Sequence, residues 1–196
     1  MPEPIKPTPA EGVGAETFVR ALSLTRITPA EGSDTTAAVE FEAVMSTGAA
    51  VLRYDWGRDR FVSEVLDMSP KAVDIERMNA GASVLDSHRT SGLEAVFGNV
   101  VPGSVRLENG VLKARLRLDP QDARSRKVVE GFVRGLSVGY TVSRWEIDEA
   151  TDPVTVRATR WQPHEVSVVS VPADPAAMVS LAGRQAFFGP DRASHC

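Results

Sequence analysis

The sequence has a single cysteine, and it is the last of 196 residues, Cys196. No intrachain disulfide can form, and a thiol at a fraying chain end lacks the fixed neighbours that would activate it, so the chain reads as a protein of a reducing compartment. Histidine is scarce as well, with only His88, His164 and His195. HEVSV has no second histidine four residues after His164, and no cysteine can join it; a metal site is not expected, nor is any cofactor. Basic tracts are missing. The 22 Lys and Arg are scattered among 26 Asp and Glu, giving a net charge of -4, which argues against nucleic acid as a direct ligand. No apolar run approaches the roughly 20 residues that cross a bilayer. The N-terminus MPEPIKPTPAEG carries prolines where a signal peptide has its apolar segment. Neither membrane insertion nor secretion by that route is expected.

What is present suits one core. A hydrophobic content of 42% over this length predicts a single domain at 17–183, with a proline-rich flexible arm at 1–16 and an aperiodic flexible tail at 184–196. Period-two alternation in ALSLTRIT and AAVEFEAVM predicts half-buried strands, with Leu22 and Leu24, then Val39, Phe41 and Ala43, on the inner face. Strands are also expected over 82–88 and 94–101. SVRLENGVLKARLRL reads as a hairpin about Asn109-Gly110, since both residues tolerate positive φ; Leu112, Ala114, Leu116 and Leu118 face one way and Lys113, Arg115 and Arg117 the other. Ser69-Pro70 predicts a helix running to Met78, and Asp119-Pro120 a second running to Glu130 and stopped by Gly131. A strand from Leu136 to Trp145 comes next, then VTVRATRW and EVSVVSVP as two more, then a last short helix opened by Asp174-Pro175. Seven or eight short strands with two or three helices and no βαβ alternation predict a mainly β fold, an antiparallel β-barrel with a few short helices packed outside.

Within the strand 136–145 lies Gly135-Leu136-Ser137-Val138-Gly139, a literal match to G-x-S-x-G. Alone it says little, because three fixed positions in five recur by chance. An α/β-hydrolase requires a strand-turn-helix at the serine and a parallel sheet; here the chain continues as strand, and the segment C-terminal to Ser137 is too short for the rest of such a sheet. A nucleophilic serine needs a base. His195 sits in the tail, where nothing can hold it for proton transfer. His88 closes a strand before the turn RTSG, where a side chain can face a groove. A third group should orient that base. Glu165, an acidic residue leading a Val/Ser-rich strand, is odd at a buried position unless paired; His164 beside it is an alternative, on the opposite face by alternation. Asp86, two residues before His88, is a weaker candidate.

Three blocks, LDSHRTSGLEAVFGNV (85–100), GFVRGLSVGYTV (131–142) and WQPHEVSVVSVPADPAA (161–177), together resemble the tailed-phage prohead proteases, which share a β-barrel fold with herpesvirus assemblins. The resemblance covers about residues 18–182. It implies a serine protease with Ser137 as nucleophile, His88 as base and Glu165 as third member, although a histidine takes that last place in the herpesvirus relatives, which keeps His164 open. It further implies cleavage of the scaffold segment of a major capsid protein precursor, and of the protease itself, inside the assembling prohead in the host bacterial cytoplasm. A homo-oligomer is compatible with this. The alternative is a catalytically inactive scaffolding or capsid-lining protein of the same fold.

Overall fold

The computed structural model describes residues 18–26 and 38–171. The N-terminal arm, the last helix, His195 and the tail expected from the sequence lie outside the described residues. Ten strands form one sheet: β1 (Phe18–Arg26), β2 (Val39–Ser46), β3 (Val51–Asp55), β4 (Arg60–Leu66), β5 (Ser83–Asp86), β6 (Val96–Val100), β7 (Arg106–Glu108), β8 (Val111–Leu118), β9 (Gly135–Asp148) and β10 (Val154–Val169). Two short helices, α1 (Glu76–Asn79) and α2 (Ala123–Val129), and a 3-10 turn at Leu93–Ala95 complete the described residues. The hydrogen-bonded order is β3-β4-β10-β5-β6-β8-β2-β1-β9, with β7 beside β8 and a further pairing of β9 with β10.

The mainly β expectation holds; the antiparallel barrel does not describe this sheet. β10 runs parallel to both β4 and β5, and among the described residues β3 has no strand beyond it. The parallel pairings arise because β10 is twice the length expected. VTVRATRW and EVSVVSVP are one strand, which passes through Gln162-Pro163-His164 by register shifts at Ala158/Arg160, Arg160/Trp161 and Pro163/Glu165. A proline that cannot donate to the ladder is tolerated at such bulges. One half of β10 can then pair with β4 and the other with β5.

The alternation in β2 and β8 is as expected. Phe41 and Ala43 bury against Leu112, Ala114, Leu116 and Leu118, while on the wet face Glu40 meets Arg115 and Arg117 and Glu42 meets Arg106. Asn109 and Gly110 both have positive φ and close the β7–β8 hairpin. Both helices start late. Ser69 begins only a turn, because the amide of Trp161 donates to Ala72 O at 2.8 Å and the amide of Asp74 to Trp161 O at 2.9 Å, drawing this segment onto β10. Helix α2 is capped by Asp122, whose carboxylate accepts from the Arg124 amide at 2.8 Å, and not by Asp119; Gly131, at φ 80, stops it as expected.

For the site, the decisive feature is how β9 packs. Leu136, Val138 and Tyr140 enter the main core with Val166, Val168 and Trp161 of β10. Alternation therefore turns Ser137, Gly139, Glu165 and Ser167 to the opposite face. A slip of one residue would remove three large apolar groups from the core, each worth about 1.5–3 kcal/mol when fully buried. That energy fixes where Ser137 stands.

Candidate active site

β10 is the spine of the site, with β5 on one side and β9 on the other. In the ladder with β9, Ser167 stands opposite Ser137 and Glu165 opposite Gly139; in the ladder with β5, Ser167 stands beside Leu85. His88 lies just past the end of β5. The chain leaves that strand through two consecutive left-handed residues, Ser87 at φ 51 and His88 at φ 58, each costing a non-glycine residue roughly 1–2 kcal/mol. Such strain persists only where the surroundings over-determine it. Here the Ser87 amide donates to Val168 O and the Arg89 amide to Asp86 O, both at 3.0 Å, and the His88 amide donates to Ser167 Oγ at 2.9 Å.

The turn swings the His88 imidazole over β10. Its Nδ1 lies 2.7 Å from Glu165 Oε1, and the Ser167 hydroxyl donates to Glu165 Oε2 at 2.8 Å. A neutral ring that donates from Nδ1 to this carboxylate has Nε2 as its acceptor, the tautomer a general base requires. His88 Nε2 is buried and has no hydrogen-bond partner, and the same is true of Ser137 Oγ. The two groups are therefore not hydrogen-bonded to each other; in unliganded enzymes the bond between a nucleophile and its base is often long and tightens with substrate. Ser137 is only 1% exposed; the site opens toward solvent at His88, whose side chain is 20% exposed against 5% for Glu165.

Asp86 is elsewhere. Because β5 ends at Asp86 and the next two residues are left-handed, the alternation that put Asp86 and His88 on one face breaks, and its carboxylate instead pairs with Arg89 at 3.4 Å and Arg124 at 3.7 Å. No hydrogen bond joins His164 to His88, whose Nδ1 meets Glu165, and the Nδ1 of His164 is buried without a partner. Two features escaped the sequence reading. Ser167 comes two residues after Glu165 and so shares its face, a signal present in E-V-S; the left-handed turn at Ser87-His88 contains no glycine and left none.

Burial pushes the His164 imidazole below its ordinary value of 6.5, with Arg77 acting the same way and Glu165 opposing. A depressed value means that folding favours the neutral ring. Its contribution is fully present above about pH 6.5 and is lost as pH falls through the lowered folded value. The thermal midpoint of the wild type should therefore drop more steeply than that of His164→Gln as pH falls below about 6.5. Parallel midpoint curves across this range would show that His164 does not contribute to acid sensitivity.

Comparison with known proteins bears on this arrangement. Residues 58–187 match the family described as caudovirus prohead serine protease, and the chain belongs to that family. Over 119 residues it is 35% identical to a protein named major capsid protein from Halomonas phage phiHAP-1, an alignment that covers 59% of this chain and 20% of the relative. The chain thus spans about a fifth of that protein's length. No solved structure matches.

Proposed function

We propose that this protein is a serine endopeptidase of phage capsid maturation, with Ser137 as nucleophile, His88 as general base and Glu165 as the group that holds the base. The observation that carries the proposal is the His88 Nδ1 to Glu165 Oε1 contact of 2.7 Å, with Nε2 left unpartnered beside a β-ladder that puts Ser137 on the same face. Ser137 Oγ attacks the scissile carbonyl while Nε2 takes its proton and passes it to the leaving amine; water then hydrolyses the acyl-enzyme by the same route. Backbone amides would hold the oxyanion. The substrate we propose is the scaffold segment of a major capsid protein precursor, inside the assembling prohead in the host cell, and the protease also cleaves itself. The phage relative, named as a major capsid protein, supports a capsid polypeptide as the partner.

That name, with the low exposure of Ser137, also favours a second reading, a capsid-lining protein of the same fold without activity. A fluorophosphonate probe separates the two. The protease gains the mass of one adduct, mapped to Ser137, and shortens both the precursor and itself on co-expression. An unlabelled protein that leaves the precursor intact is the inactive lining protein.

A further inference from the structure

We infer that Ser167 is a positioning residue for the proposed His88–Glu165 pair, and that the pair is held by a closed circuit passing through its hydroxyl. The inference rests on the protease reading above. The circuit has three bonds. The backbone amide of His88 donates to Ser167 Oγ at 2.9 Å, the Ser167 hydroxyl donates to Glu165 Oε2 at 2.8 Å, and Glu165 Oε1 meets the imidazole of the same His88 at 2.7 Å.

A hydroxyl is the smallest side-chain group able to accept and donate at once, and both its bonds matter here. As acceptor it satisfies the one amide in the left-handed turn whose partner is not backbone, and so fixes where the imidazole leaves the chain. As donor it occupies the carboxylate oxygen that His88 does not use, setting the plane in which the other oxygen is presented. Ser167 has 0% of its surface exposed, so water cannot readily replace either bond. It also stands between the two strands that matter, opposite Ser137 on β9 and beside Leu85 on β5. A serine whose only task was to fill the sheet could be alanine without consequence for the imidazole.

The test uses the full chain and reads the imidazole as well as the reaction. In wild-type protein the Nδ1 proton of His88, bonded to Glu165, should give a downfield proton signal in slow exchange with water. Ser167→Ala should lose that signal while still melting cooperatively, and its rate of fluorophosphonate labelling at Ser137 should fall up to roughly a hundredfold, the order of loss that a misplacement of about 1 Å brings. Ser167→Thr, which keeps the hydroxyl, should restore both. Should Ser167→Ala not fold, Ser167→Cys keeps the volume with only weak hydrogen bonding and takes its place. A variant that lacks the hydroxyl yet keeps the signal and labels within about twofold of wild type overturns the inference and leaves the protease reading standing. If wild-type protein is not labelled at all, the protease reading fails instead; persistence of the signal in Ser167→Ala would then overturn the positioning role as well.

Discussion

Ser137→Ala and His88→Ala are each expected to lower the rate of precursor cleavage roughly 10⁶-fold, and the double variant should be no slower, since nucleophile and base act as one unit. Their effects on stability should have opposite signs. Ser137 Oγ is a buried hydroxyl without a partner, and leaving such a group unsatisfied costs about 1–3 kcal/mol. Its removal should raise the thermal midpoint, by about 2–4 °C per kcal/mol regained for a chain of this size. His88→Ala takes away the partner of a carboxylate that is 4% exposed, so it should lower the midpoint. Glu165→Gln should fall between wild type and these variants in activity, losing roughly 10⁴-fold. The Ser167 hydroxyl still demands an acceptor, which turns the new amide's N–H toward Nδ1 and forces the ring proton onto Nε2, the wrong tautomer for a base. Single-turnover cleavage and thermal melts of the four variants check this. Cleavage by Ser137→Ala would remove it as nucleophile, and a His164→Ala variant more damaged than Glu165→Gln would transfer the third role to His164.

The residue types of the candidate site were legible because the proposed chemistry needs few of them and the chain has few to offer. With three histidines in all, His88 stood out, and the period of two joined Glu165 to one face of a strand. The β2 and β8 strands were equally plain, since inside and outside separate cleanly into apolar and charged. The β3–β4 hairpin was not foreseen, because its pattern is mixed, with Glu64 lying between Val62 and Leu66 on the buried face. Phe61 and Leu52 are 57% and 62% exposed, whereas Glu64 is 2% exposed, bonded to the Tyr140 hydroxyl and paired with Arg53 at 3.3 Å. A binary reading cannot find a strand that turns its charge inward to a partner 76 residues away. The helix expected from Ser69 failed for a related reason. Its capping signal is local and sound, but Trp161 takes the backbone groups that a longer helix would use. Long-range partners decide such cases, and they leave no local trace.

Gly139→Ala should damage the protein about as clearly as any substitution outside the proposed triad. A Cβ on Gly139 would lie 2.2 Å from Glu165 Oε1, 2.8 Å from its Cδ and 2.9 Å from its Cγ. The second glycine of G-x-S-x-G is there to make room for the carboxylate on the neighbouring strand, which is why the match to an unrelated hydrolase pattern carries no mechanistic meaning. Glu165 has nowhere to retreat, being held at one oxygen by His88 and at the other by Ser167. Either the carboxylate leaves the imidazole or β9 and β10 move apart, carrying Ser137 with them. Overpacking of this kind costs about 1–3 kcal/mol, and a displacement of about 1 Å in a reacting constellation costs about 10²-fold in rate. A double-mutant cycle tests the cause as well as the size. In a Glu165→Ala background the methyl group has no carboxylate to strike, so Gly139→Ala should cost little further stability, and the coupling between the two substitutions should approach the whole cost of Gly139→Ala in the wild type. Additive losses would mean that the glycine serves the strand and not the carboxylate.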